Sequence, residues 1–95
     1  MGEGDPNFDF EDNVRFDLGL SLFMLDQYAE ASEAFQSVLR IDPGRYQAFI
    51  HLGNIKLREG DEAGAIRDFK RALEINPSLE GVLERIVQLE MRSNR

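Results

Sequence analysis

Apolar residues recur along this chain at intervals of three and four, separated by short polar or glycine-containing breaks. Val14, Leu18 and Leu22 fall on one helical stripe, and Ala31, Phe35 and Val38 fall on a second. Ala48, Leu52 and Ile55 begin the pattern again, and Ala65, Phe69 and Ala72 complete it. A fifth segment carries Val82, Leu83, Ile86, Val87 and Leu89 on one face, with Glu80, Glu84, Glu90 and Arg92 on its wet side. The pattern predicts an all-α chain of five helices, the first four forming two antiparallel hairpins and the last covering the second.

The breaks are informative because they hold residues that end or start helices. Gly60 can take the left-handed conformation at a helix C-terminus, and Asp61 can cap the helix that follows. Asp26 and Gln27 stand at the matching break, so the first turn is expected to be less well specified. Asp42-Pro43 and Asn76-Pro77 close the two hairpins, since proline drives the residue before it out of the helical region. Ser78 is the expected cap of the fifth helix.

Set against itself with an offset of 34 residues, the chain pairs Leu18, Gly19, Ala29, Ala31, Phe35, Leu39, Ile41 and Pro43 with Leu52, Gly53, Ala63, Ala65, Phe69, Leu73, Ile75 and Pro77. The identities fall on small, aromatic and helix-ending residues. Gly19 and Gly53, with Ala31 and Ala65, are expected to let two helix backbones approach closely, and Phe35 and Phe69 to fill the space between one hairpin and the next. The boundaries that follow are an acidic leader over 1–11, hairpins over 12–45 and 46–79, and a capping helix over 80–95.

Composition narrows the function classes. Ninety-five residues make one domain, and 42% apolar with 31% charged residues is a globular balance. The formal net charge is −7, with Glu3, Asp5, Asp9, Glu11 and Asp12 all in the first twelve residues. Such a chain is repelled by phosphate backbones and anionic lipid heads, so neither nucleic acid nor a membrane is an expected partner. No apolar run approaches the ~20 residues of a membrane span, and the N-terminus lacks the features of a secretory signal, so the expected setting is cytoplasmic.

Leu-Gly, then Ala, then Phe, then a helix-ending Pro, twice at one spacing, resembles the tetratricopeptide repeat. The resemblance covers 12–45 and 46–79, with Glu80 onward similar to the solvating helix of such arrays. The aromatic residue frequent early in the family's first helix appears as Phe49, whereas Arg15 stands there in the first copy. The resemblance implies a right-handed superhelix whose concave face is lined by the first helix of each hairpin and grips a peptide or helix of a partner protein. Carried onto this chain, that groove would be formed by Asn13, Phe16, Leu20, Phe23, Met24, Gln47, Ile50, Asn54, Leu57 and Arg58, with Glu84, Gln88 and Arg92 added by the last helix. Family members that hold acidic chaperone tails use a clamp of lysines, asparagines and an arginine. Phe16, Leu20, His51, Gly81 and Arg85 occupy those places and only Arg85 fits, so chaperone-tail recognition is not expected.

Three occupants compete for the apolar part of the groove: an external partner, a second copy of the chain, and the chain's own Phe8 and Phe10. Homodimerisation has an energetic motive, because repeat arrays generally need about three units and this chain has two with a cap. Asp5-Pro6-Asn7 also looks like a hairpin closure, as though the chain were cut from a longer array.

Catalysis is not expected. His51 is the only histidine and there is no cysteine, so no metal site or nucleophile can be assembled around it. Asp5, Asn7 and Asp9 alternate as a calcium loop does, but Phe10 and Phe16 replace its glycine and closing glutamate. Arg67, Lys70 and Arg71 beside Asp68 and Glu74 read as a solvated helix face. No phosphate-cradling glycine loop is present, and no cofactor is implied.

Overall fold

The computed structural model describes the backbone of residues 6–93 and the side chains of 11–93. The packing expected of Phe8 and Phe10 lies outside the described side chains, as does Asp5 of the proposed leading closure. The chain is all-α, with helices α1 (Pro6–Met24), α2 (Tyr28–Ile41), α3 (Tyr46–Arg58), α4 (Glu62–Ile75) and α5 (Glu80–Ser93). Helix α1 opens on Pro6, a favoured first helical residue because its missing N–H has no intrahelical partner to lose. Residues 6–11 of the expected leader are therefore helical. Two compact units divide the chain, Met1–Ala48 and Phe49–Arg95, the boundary falling in the first turn of α3.

In the first unit, α2 buries Ala31, Ala34, Phe35 and Val38 along one stripe. The ring of Phe35 lies on Gly19 of α1, where a Cβ would come within 2.8 Å of Cε1. Helix α4 buries Gly64, Ala65, Phe69 and Ala72, and a Cβ on Gly53 would come within 2.5 Å of Phe69 Cε1. Each phenylalanine thus fills the space inside its own hairpin, against the glycine of the facing helix. In the second unit, Ile86 and Leu89 of α5 close over Ala65 and Phe69, with Ile50, Leu57, Ile66, Leu73 and Val82 packed around them.

The register of α1 differs from expectation. Val14 and Leu18 are 47% and 51% exposed, whereas Phe16 is 9% exposed and Asp12 is 6% exposed. Phe16 meets Phe35 edge to face at 5.4 Å. The Arg45 guanidinium lies 4.2 Å above the Phe16 ring and donates to Asp12 Oδ2 at 3.0 Å and to Asn13 Oδ1 at 2.9 Å. Asp12 Oδ1 is buried without a hydrogen-bond partner, so the pair is only half satisfied, which lowers its net worth. Helix α1 faces α2 through Phe16 and Gly19 because the Phe35 ring fits only over the glycine.

The turns repeat each other closely. Asp26 and Gly60, 34 positions apart, both have positive φ, 61° and 82°. Gln27 N–H bonds to Leu22 C=O at 2.9 Å and Asp61 N–H to Lys56 C=O at 2.8 Å, the wide C-terminal bond that satisfies an orphan carbonyl. The first turn therefore keeps the geometry of the second without its glycine. Its aspartate is supported by Tyr28 Oη, which donates to Asp26 Oδ1 at 2.9 Å. The next helix starts unequally, for Asp61 accepts from Gly64 N–H at 2.9 Å while Gln27 makes no side-chain cap.

Both proline closures also agree. Asp42 and Asn76 sit at φ −133° and −131°, and each side-chain oxygen accepts from the N–H two residues on, at 3.1 Å in both. Ser78 does not cap α5, which begins two residues later at Glu80.

Two stability outcomes are expected. Gly53→Ala gains about 1 kcal/mol of helix propensity and loses more by overpacking against Phe69, for a net loss of about 1–2 kcal/mol in urea unfolding. Asp26→Gly relieves the left-handed strain and raises stability by about 0.5–1 kcal/mol, part of the gain being offset by the lost Tyr28 bond.

Candidate functional site

The expected groove residues lie on two helices and do not share one environment. On α1, Asn13 is exposed but holds Arg45, and Phe16 belongs to the core of the first unit. Leu20 and Phe23 are half-buried, and Met24 is 81% exposed. Phe23 packs edge to face on Tyr28 at 5.5 Å. The first unit thus offers a short apolar stripe of Leu20, Phe23 and Met24 near the C-terminal end of α1.

On α3, Gln47 lies within the first unit and is exposed, one residue before the boundary. Ile50, Asn54 and Leu57 recur at helical spacing on one face, all half-buried, and Arg58 is exposed beside them. Ile50 and Leu57 reach down to the cluster of Phe69, Ile86 and Leu89, so their inner atoms are committed to packing and only their outer atoms face a ligand.

Helix α5 completes this face: Ile86 and Leu89 seat it on Phe69, with Ile50 and Leu57 of α3 packed around them, and Arg85, Gln88 and Arg92 stand beside Leu89 at the cleft with Leu57. Two clefts result. A smaller one of about 200 Å³ is bordered by Ile50, Asn54, Phe69, Val82 and Arg85. A larger open one of about 620 Å³ is bordered by Leu57, Arg85, Gln88, Met91, Arg92 and Glu62. Arg85 lines both. It has no ion-pair partner among the described residues, whereas Arg92 is held by Glu62 at 2.9 Å. Sequence reasoning placed Glu84 in this groove, but Glu84 lines a separate outer cleft with Leu83 and Val87. It treated Arg85 only as the surviving piece of a clamp, and it missed Met91.

The chemistry available here is recognition. An apolar floor, an amide that can both donate and accept, and an unpaired guanidinium suit a peptide segment carrying a carboxylate. His51 is half-buried on α3, and burial pushes its pKa below the usual histidine value, favouring the neutral ring. Among the described residues no three histidine, cysteine or acidic side chains gather as metal ligands, and no helix is long and apolar enough to cross a membrane.

Comparison with known proteins bears on the same elements. The chain is 36% identical over 67 residues to the protein CTR9 homolog of Arabidopsis thaliana and 30% identical over 66 residues to the cell division cycle protein 27 homolog of Caenorhabditis elegans. Those alignments cover 67% and 70% of this chain, which spans only 6% and 8% of the relatives' own length. The crystal structure of MamA superposes with a TM-score of 0.84 at 20% identity, over 88% of this chain and 49% of that one, and shows a shared fold. The family model for the tetratricopeptide repeat matches residues 13–45 and again 46–79. With both hairpins matched, each built on a phenylalanine seated over a glycine, the chain belongs to the tetratricopeptide-repeat family.

Proposed function

We propose that the chain is an interaction module that holds a short acidic segment of a partner protein on the α3 and α5 face of its second unit. Proteins built of tetratricopeptide repeats serve generally as non-catalytic scaffolds and adaptors, which fits this reading. The observation that carries it is Arg85, an unpaired arginine shared by two adjoining clefts whose other walls are Ile50, Asn54, Leu57 and Gln88. A guanidinium in such a place can fork onto a carboxylate, Asn54 can hold the segment's backbone, and Leu57 with Met91 can take an apolar side chain. The stripe of Leu20, Phe23 and Met24 gives the first unit an apolar contact of its own. Arg58, expected as a hydrogen-bond donor to the ligand, is already engaged within the protein and has a lesser part here.

Self-association through the expected groove residues Phe16, Ile50 and Leu57 has less behind it. Phe16 is buried, and Ile50 and Leu57 are partly consumed by the core, so the area a second copy could cover is small.

Peptides selected from a random display library against the whole chain are expected to share an acidic residue next to an apolar one. Arg85→Ala and Leu57→Glu should each weaken a selected peptide at least tenfold, about 1.4 kcal/mol, with unchanged helicity. Binding that survives both substitutions removes the site from this face.

A further inference from the structure

The repeat itself marks a second surface. Val14 and Leu18 stand 34 positions before Ala48 and Leu52, and the same two places in the repeat have opposite fates: Ala48 and Leu52 are 0% and 5% exposed, Val14 and Leu18 are 47% and 51% exposed. The first hairpin therefore presents an exposed apolar stripe whose counterparts in the second are buried. Beside Leu18 the surface dips into a cleft of about 260 Å³ between α1 and α2, with Leu22 and Ala34 also on its walls and Glu30, Glu33 and Arg15 on its rim.

Charge decides what fits. Residues 1–48 hold ten acidic and three basic side chains, while 49–95 hold eight of each, so the whole net charge of −7 resides in the first unit. Its three arginines are engaged: Arg15 with Glu11, Arg45 with Asp12, and Arg40 with the Ser37 hydroxyl. Glu30 and Glu33 are exposed and have no ion-pair partner among the described residues. We infer that the Val14 and Leu18 face of α1, rimmed by Glu30 and Glu33, is a docking surface for a basic amphipathic helix of a partner protein.

A second copy is the poorer occupant. A second exposed apolar stripe, Leu83 and Val87 on α5, is bordered by Glu80 and Glu84, and would set acid against acid. Lys56, Lys70, Arg71 and Arg92, four of the cations another copy could lend, are already paired with Asp68, Glu90, Glu74 and Glu62. A partner helix with leucine-like residues at three- and four-residue spacing and lysine or arginine on both flanks meets neither obstacle.

The inference is independent of the α3 and α5 site and is tested separately. Two synthetic helical peptides of about 18 residues, sharing one leucine stripe and flanked by lysine in one and glutamate in the other, are titrated against the whole chain by fluorescence anisotropy at low salt. The lysine peptide is expected to bind at least about tenfold tighter. Leu18→Glu, or Val14→Ser with Leu18→Ser should the charge disturb folding, is expected to remove that binding with circular dichroism unchanged. Glu30→Lys with Glu33→Lys is expected to reverse the ranking of the peptides, and Arg85→Ala to leave it alone. Equal binding of both peptides, or a loss caused by Arg85→Ala or Phe23→Glu in place of Leu18→Glu, overturns the assignment. So does a dimer in light scattering that Leu18→Glu dissociates, which would give the face to a second copy.

Discussion

The fold rests on one contact made twice, a phenylalanine ring lying flat enough on a facing helix that only glycine can stand beneath it. Phe35 over Gly19 and Phe69 over Gly53 fix the separation of the paired helices, because any Cβ at the glycine would lie under 3.0 Å from ring carbons. The contact also fixes rotation. Once the glycine must face the ring, every other side chain on that helix has its direction set at 100° steps. Small residues nearby, Ala31 and Ala65 at 0% exposure, follow from the same close approach.

Rotation set by this contact explains what the surface looks like. On α1 it buries Phe16 and turns Val14 and Leu18 outward, although all three are apolar. On α5, no glycine is present in the packed stripe, and Ile86 and Leu89 seat the helix on Phe69 by ordinary side-chain packing. Arg85 and Gln88 are then carried to the α3 side and Glu84 to the other. The candidate binding residues are thus consequences of how the core is seated.

Much of this could be read from the residues. Gly, Phe and Pro act through sterics that few other residues reproduce, so their recurrence at one spacing marks helices, turns and closures without coordinates. Rotation of α1 was harder, since Val14, Leu18 and Leu22 on one side and Phe16, Leu20 and Phe23 on the other make two apolar stripes, and periodicity cannot choose between them. Gly19 was the residue that decides, but its meaning depends on Phe35 lying opposite. The Asp26 turn was underrated for a similar reason: left-handed backbone is strained but reachable for aspartate, and the surrounding bonds to Leu22 and Phe23 carbonyls impose it. Arg85 could not be singled out because its role lies in two clefts that exist only once α5 is docked.

Duplication has separated the two jobs of the chain. The glycine and phenylalanine that set each hairpin's crossing, and the alanine beside them, are the same in both copies, so they carry no information about which copy is which. Much of what differs is charged: Arg45 and Asp12 tie the first unit together where the second uses Lys56 and Asp68, and the acidic excess belongs to one half alone. A ligand can therefore distinguish the two units through these charged residues. Surface substitutions can redirect binding with little loss of stability, whereas a change at Gly19, Gly53, Phe35 or Phe69 alters both at once. One repeated frame thus carries an arginine-lined cleft on its second unit and an acid-rimmed apolar face on its first, and the binding proposed for each rests on the side chains the core leaves exposed.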